Sequence, residues 1–263
     1  MDLGLKGKVA LVAAASQGLG FAVAKELAAE GASLIICSRR ETSINTAAET
    51  IRSETKVDVL ALAADVSITG DIERLVASGI EEFGKIDILV TNSGGPPAGN
   101  FENTDKTSWD EATRILLTSV IDLTRLVLPG MKERKWGRIL NITSIASKQP
   151  VDNLMLSNSL RAAVTGFAKT LANEVAADGV TVNNILPGYT LTERLDELIQ
   201  FLSEKESINA DDVRARWESE IPMRRLGDPK EFAALAAFLV SERASYITGS
   251  SVAVDGGWIK SLF

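Results

Sequence analysis

Short apolar runs alternate along this chain with stretches whose apolar residues recur at helical spacing. Val9 to Ala15 is the first run, rich in β-branched residues and of strand length. Val23, Ala24, Leu27 and Ala28 follow at helical intervals, and Gly31 sits where a helix C-terminus favours glycine. The second run, Ser33 to Arg40, ends in two cations, and Thr42 or Ser43 is placed to cap a helix through about Glu54. Further strands are predicted at Val57–Ser67, Lys85–Gly95, Gly137–Ser144, Val180–Gly188 and Ser250–Val254. Between them lie a helix striped by Ile72, Leu75, Val76 and Ile80, a long helix from Thr107 to Arg134, and one from Leu154 to Ala177. A polar helical segment covers Glu193–Glu220, and an apolar helix covers Pro229–Ser241. Strands that are apolar on both faces and alternate with helices predict an α/β fold, a doubly wound parallel sheet of about seven strands covered on both sides. The expectation is one domain over residues 1–263, with 193–220 as a lid.

The junction of the first strand and helix is the most informative stretch. In Ala14-Ala15-Ser16-Gln17-Gly18-Leu19-Gly20 the chain turns through two glycines. Such a turn aims free backbone N–H groups and the positive end of a helix dipole at one point, where a phosphate can sit. Glycines here would equally serve a tight turn and nothing more. The wider pattern bears on the choice. Ligands of parallel sheets bind beyond the carboxyl ends of the strands. Gly18, Arg39, Asp65, Asn92, Ser144 and Pro187 all fall at those predicted ends.

Composition narrows the chemistry. The 263 residues carry 28 Lys and Arg against 35 Asp and Glu, a net charge of −7, which argues against nucleic acid or an anionic membrane as the main partner. There is no histidine, so the usual general base and the commonest metal ligand are missing, and no metal site is expected. The single Cys37 allows no disulfide. With no apolar stretch of membrane-spanning length and no signal peptide, the expectation is a soluble protein of a reducing compartment, the cytoplasm.

The glycine turn resembles the TGxxxGxG turn of the short-chain dehydrogenase/reductase family, with Ala13 and Ala14 in place of its threonine and glycine. The resemblance extends over essentially the whole chain. Asp65-Val66 resembles the pair that holds the adenine ring, and Thr91–Gly94 is similar to the family's NNAG, keeping Asn92 and Gly94. Ser144 falls on the catalytic serine. Pro187, Gly188 and Thr192 fall on the PGxxxT that embraces the nicotinamide, and ITGSSVAVDGG resembles the family's C-terminal third. The resemblance implies a Rossmann-like sheet and a dinucleotide held by Ala14, Ser16, Gly18, Leu19, Gly20, Asp65, Val66, Asn92, Gly94, Pro187, Gly188 and Thr192. Ser38 stands where an acid would accept bonds from a ribose hydroxyl, and Arg39 and Arg40 are cations suited to a 2′-phosphate. NADP(H) is therefore the expected cofactor; two solvated surface arginines are the alternative reading.

The family's catalytic pattern is broken. At its tyrosine and lysine positions stand Ser157 and Arg161, four apart on one helix, and Leu116 occupies its asparagine position. Arg161 keeps a positive charge and can bond ribose hydroxyls, but it cannot relay a proton. Ser157 is a far weaker acid than a tyrosine. Ser144, Ser157 and Arg161 are the candidate catalytic residues, able to form an anion pocket, and the proton path is left to Tyr189, Lys148 or water. Two functions stay open: an oxidoreductase acting on a small carbonyl or alcohol, and a catalytically silent NADP(H)-binding protein that serves as a sensor or assembly partner. A homo-oligomer, tetramer or dimer, is also expected. The apolar residues Ile115, Leu116, Val120, Leu123, Val127 and Leu128, the Phe232–Val240 helix and the Trp258–Phe263 end suggest uncovered faces.

Overall fold

The computed structural model describes residues 2–262. Seven parallel strands form one sheet in the order β3-β2-β1-β4-β5-β6-β7. They are β1 (Val9–Val12), β2 (Ser33–Ser38), β3 (Val59–Ala63), β4 (Ile88–Thr91), β5 (Gly137–Ile142), β6 (Val180–Pro187) and β7 (Ser251–Val254). The order reverses direction between β1 and β4, so a crevice opens at their carboxyl ends.

Two apolar layers cover the sheet. On one face α1 (Gly18–Ala29), α2 (Glu41–Thr55) and α9 (Pro229–Leu239) bury Val23, Leu27, Ile44, Ile51 and Phe232 against Ala10, Val12, Leu34 and Ile36. On the other, α3 (Thr69–Phe83), α5 (Ser119–Glu133) and α6 (Met155–Val175) close over Leu11, Ile35, Leu89, Ile139 and Val182. Strands β1 to β6 thus send alternate residues into two cores, which is why the runs read as continuously apolar.

The carboxyl half of the sheet is pinned by a polar chain within this second layer. Thr91 Oγ1 donates to Asn141 Oδ1 at 2.8 Å, Asn141 Nδ2 donates to Asn184 Oδ1 at 3.0 Å, and Asn184 Nδ2 donates to Ser251 Oγ at 3.0 Å. These four residues are direct register partners across β4–β7. Buried amides without partners would be costly, so this chain opposes any slip of register and keeps the strand ends level.

Some expectations are corrected. Strands stop before the polar residues assigned to their ends, so Ser144 and Asn92 lie in loops rather than strands. Helix α2 begins at Glu41, with Arg40 as the extended residue before it, and neither Thr42 nor Ser43 caps it. Ile80 faces solvent, 44% exposed. The long helix is not continuous: α4 (Lys106–Thr113) passes into a π-helical turn at Arg114–Thr118 before α5. The wider turn rephases the helix, and Leu116, Val120, Leu123 and Val127 are all buried within the chain. Phe232 is also fully buried. Those residues are therefore consumed by the chain's own core and offer no face to a second copy. Phe263 lies outside the described residues.

The segment 193–220 is two helices, α7 (Glu193–Glu206) and α8 (Ala210–Glu220), with a small core of their own built on Leu195, Ile199, Val213 and Trp217. Tyr189 joins that core. It stacks on Trp217 with ring centroids 4.7 Å apart and meets Trp258 edge-on at 5.9 Å. Burial in this cluster pushes the Tyr189 hydroxyl up to about 12.

Candidate active site

The glycine turn is built around close backbone approach. A Cβ on Gly20 would press into the carbonyl oxygen of Ala14 and come within 2.7 Å of Asn92 Nδ2. That amide donates to the same oxygen at 3.2 Å, tying the end of β4 to the turn. Gly18 opens α1 with φ of +61°, and no side chain caps the helix N-terminus nor does an acid stand in its first turn. The first-turn N–H groups are thus left for an anion from outside the chain. Leu19 packs on the α1-side core, while Ser16 is partly buried in the turn.

Ala14 holds φ of +48°. Left-handed backbone costs an L-residue about 1–2 kcal/mol, against which the looser unfolded chain of a glycine costs about 0.4–1. Ala14→Gly should therefore stabilise the fold by roughly 0.5–1 kcal/mol, read by urea denaturation. A lower midpoint in the variant would refute the strain.

Around the rim, Ser38 Oγ donates to the Arg40 carbonyl at 3.1 Å. Arg39 and Arg40 are exposed, and neither forms an ion pair among the described residues. Asp65 Oδ1 accepts from the Ser67 amide at 2.9 Å and hydroxyl at 2.8 Å, while Val66 packs against the α3-side core. Gly94 is exposed with open space above it. Pro187 ends β6, beside β7. Gly188 has a packing reason of its own, since a Cβ there would fall 2.7 Å from Asp255 Cα. Thr192 caps α7, its hydroxyl accepting from the Leu195 amide at 3.4 Å. An uncapped helix start, a glycine cradle and two unpaired arginines fit a phosphorylated dinucleotide.

The candidate catalytic residues gather where the carboxyl ends of β4 and β5 meet the π turn and α6. Arg161 projects from α6 and donates through Nη1 to the Ile142 carbonyl at 3.0 Å, at the end of β5. Burial pushes its guanidinium down to about 10, so it stays charged at neutral pH. It lines a cavity of about 10 Å³ together with Thr91, Asn92, Leu116, Ser119 and Thr143. Ser157 is buried one turn earlier, with no hydrogen bond to its hydroxyl among the described residues. Ser144 caps the 3-10 turn Ile145–Ser147, its hydroxyl accepting from the Ala146 amide at 3.1 Å. Neither serine lines the Arg161 cavity, so the three groups do not form one enclosed anion pocket. Lys148 is exposed just after that turn.

Three features escape the sequence. The first turn of α7 lies across the crevice: Glu193 Oε2 is 3.6 Å from where a Gly18 Cβ would be, and Arg194 lies 3.7 Å from that of Gly95. The amide of Lys260 donates to Gln149 Oε1 at 3.0 Å, bringing the C-terminal segment against the loop after Ser144. Thr143 Oγ1 is buried with no partner among the described residues. Its one sequence signal is the alternation of β5 continued one residue past its end, which puts Thr143 on the face of Ile139 and Asn141.

Comparison with known proteins agrees with this fold. The family described as Enoyl-(Acyl carrier protein) reductase matches residues 13–259. The chain is 35% identical over 259 residues to Dehydrogenase/reductase SDR family member 4 of Bos taurus, covering 98% of this chain and 89% of that protein. It is 33% identical over 256 residues to the NADPH-dependent reductase BacG of Bacillus subtilis (strain 168), covering 97% and 99%. Among solved structures, L-sorbose reductase from Gluconobacter frateurii, complexed with NADPH and L-sorbose, superposes with a TM-score of 0.95 at 34% identity, over 100% of both chains.

Proposed function

Because the chain belongs to the short-chain dehydrogenase/reductase family, we propose that it is an NADP(H)-dependent oxidoreductase acting on a small carbonyl or alcohol through Ser144, Ser157 and Arg161. The observation that carries this reading is Arg161, a half-buried group charged at neutral pH and without an acidic partner among the described residues, at the carboxyl end of the sheet. The cofactor, when bound, supplies or accepts the hydride. Arg161 then bonds the ribose and offsets negative charge as it develops on the substrate oxygen. Ser144 and Ser157 orient that oxygen by hydrogen bonds, and the proton comes from solvent, since Tyr189 stacks on Trp217 and burial raises its hydroxyl to about 12. Arg39 and Arg40 would hold the 2′-phosphate, and the α1 N-terminus would hold the diphosphate. NADPH in a solved relative and in the name of BacG supports that choice of cofactor. The same reading carries a cytoplasmic homo-oligomer of two or four copies.

Two measurements test it. NADPH should bind at least about tenfold more tightly than NADH at one ionic strength, since a charge-assisted bond contributes about 1.5–3 kcal/mol. Arg39→Ala with Arg40→Ala should erase the difference, and equal affinities in the wild type would overturn the choice of cofactor. NADPH consumption is then screened against keto acids, β-keto esters and quinones. If turnover appears only after Leu116→Asn, Ser157→Tyr and Arg161→Lys are combined, the protein is a silent cofactor binder instead.

A further inference from the structure

The short segment that follows β7 ties together parts of the chain that are far apart in sequence. Asp255 starts it. Its carboxylate accepts from the amides of Gly257 at 3.0 Å and Ile259 at 2.8 Å, which folds the chain back on itself. The Gly256 carbonyl accepts from the Met223 amide at 3.2 Å, just past α8. Trp258 then enters the core of the α7–α8 pair, meeting Tyr189 edge-on at 5.9 Å. Among the described residues it is the one member of that core from outside residues 189–226. Two residues later the Lys260 amide donates to Gln149 Oε1 at 3.0 Å. Gln149 in turn donates its own amide to the Ile145 carbonyl at 3.0 Å, within the turn that Ser144 caps.

A contiguous path therefore runs from the α7–α8 core through Trp258 and Lys260 to Gln149 and the Ser144 turn. Each step is a ring contact or a hydrogen bond, and the Asp255 carboxylate stiffens the stretch between. We propose that Asp255–Lys260 is a strap that couples the position of the α7–α8 pair to that of the turn holding Ser144. Trp258 and Gln149 are its two attachment points. Gln149 is thus a positioning residue that acts only through the Ser144 turn, and its bearing on turnover rests on the reading that Ser144 touches substrate. Coupling is reciprocal, so loosening either end loosens the other.

The test is amide hydrogen exchange on the whole protein, without cofactor or substrate, so its result is separate from whether the protein turns over any compound. Trp258→Ala should speed exchange in α8 and also at residues 147–149, by about fivefold, the lower end of coupling between sites. Gln149→Leu should do the converse, speeding α8 as well as its own turn. Trp258→Phe, which keeps an aromatic edge, and Gln149→Glu, which keeps the acceptor, should both exchange as the wild type does. With Trp258→Ala and Gln149→Leu combined, residues 147–149 should exchange no faster than in Gln149→Leu alone, because one path is cut twice. Unchanged exchange at 147–149 in Trp258→Ala, or additive effects in the double variant, would overturn the strap. Gln149→Leu alters a half-buried side chain outside every core cluster, so its effect on α8 decides the matter even if Trp258→Ala folds poorly.

Discussion

Arg161→Ala should lower kcat/KM by about 10²–10³, the range found when one preorganised donor to a developing oxyanion is removed. The charge sits at the end of β5, anchored to Ile142, and nothing acidic among the described residues neutralises it. Arg161→Lys should recover part of the loss, because charge survives while the planar fork does not. Ser157→Ala should cost less than about tenfold, since an unpaired hydroxyl contributes one neutral hydrogen bond at most. The pH profile separates this site from one run by a tuned acid. Arg161 is protonated below about 10. The charged form is therefore complete at neutral pH and is lost only as pH rises towards 10. The rate should be level from about pH 6 to 9 and fall above that. A rate that survives Arg161→Ala, or a steep titration near pH 7, would show that the reaction centre lies elsewhere.

The parts of the site legible in the sequence are those fixed by local chain geometry. Gly18 and Gly20 follow an apolar strand and open a helix, and strand–turn–helix order alone carries them to the crevice. Arg39, Asp65, Asn92 and Pro187 are legible for the same reason, since a parallel sheet brings the ends of its strands to one rim. What stayed hidden depends on contacts between distant segments. Arg114–Thr118 contains nothing that distinguishes a π turn from an α-helix, so the sequence alone does not show that Leu116, Val120, Leu123 and Val127 all turn into the chain's own core. Tyr189 looked available because its stacking partner Trp217 lies in a segment that reads as polar. Thr143 shows its missing partner only once α6 is laid over β5.

Gly20→Ala should abolish tight cofactor binding, weakening NADPH by at least about thirtyfold, or 2 kcal/mol. The added methyl would press on the Ala14 carbonyl and lie 2.7 Å from Asn92 Nδ2, and neither is the free end of a flexible chain. The carbonyl belongs to a turn already held at φ of +48°, and the amide is committed to that same oxygen. Relief would move the turn away from β4 and break the Asn92 bond, which displaces the first N–H groups of α1 from the diphosphate. Overpacking of this kind costs about 1–3 kcal/mol in its own right, so the thermal midpoint should fall as well. Gly94→Ala provides the contrast, because nothing lies within 4 Å of the Cβ it adds. Its fold should be unchanged, and any weakening of NADPH would then come from a clash with the cofactor itself. If Gly20→Ala bound NADPH like the wild type, the glycine turn would be a structural bend and the cofactor would lie elsewhere on the rim.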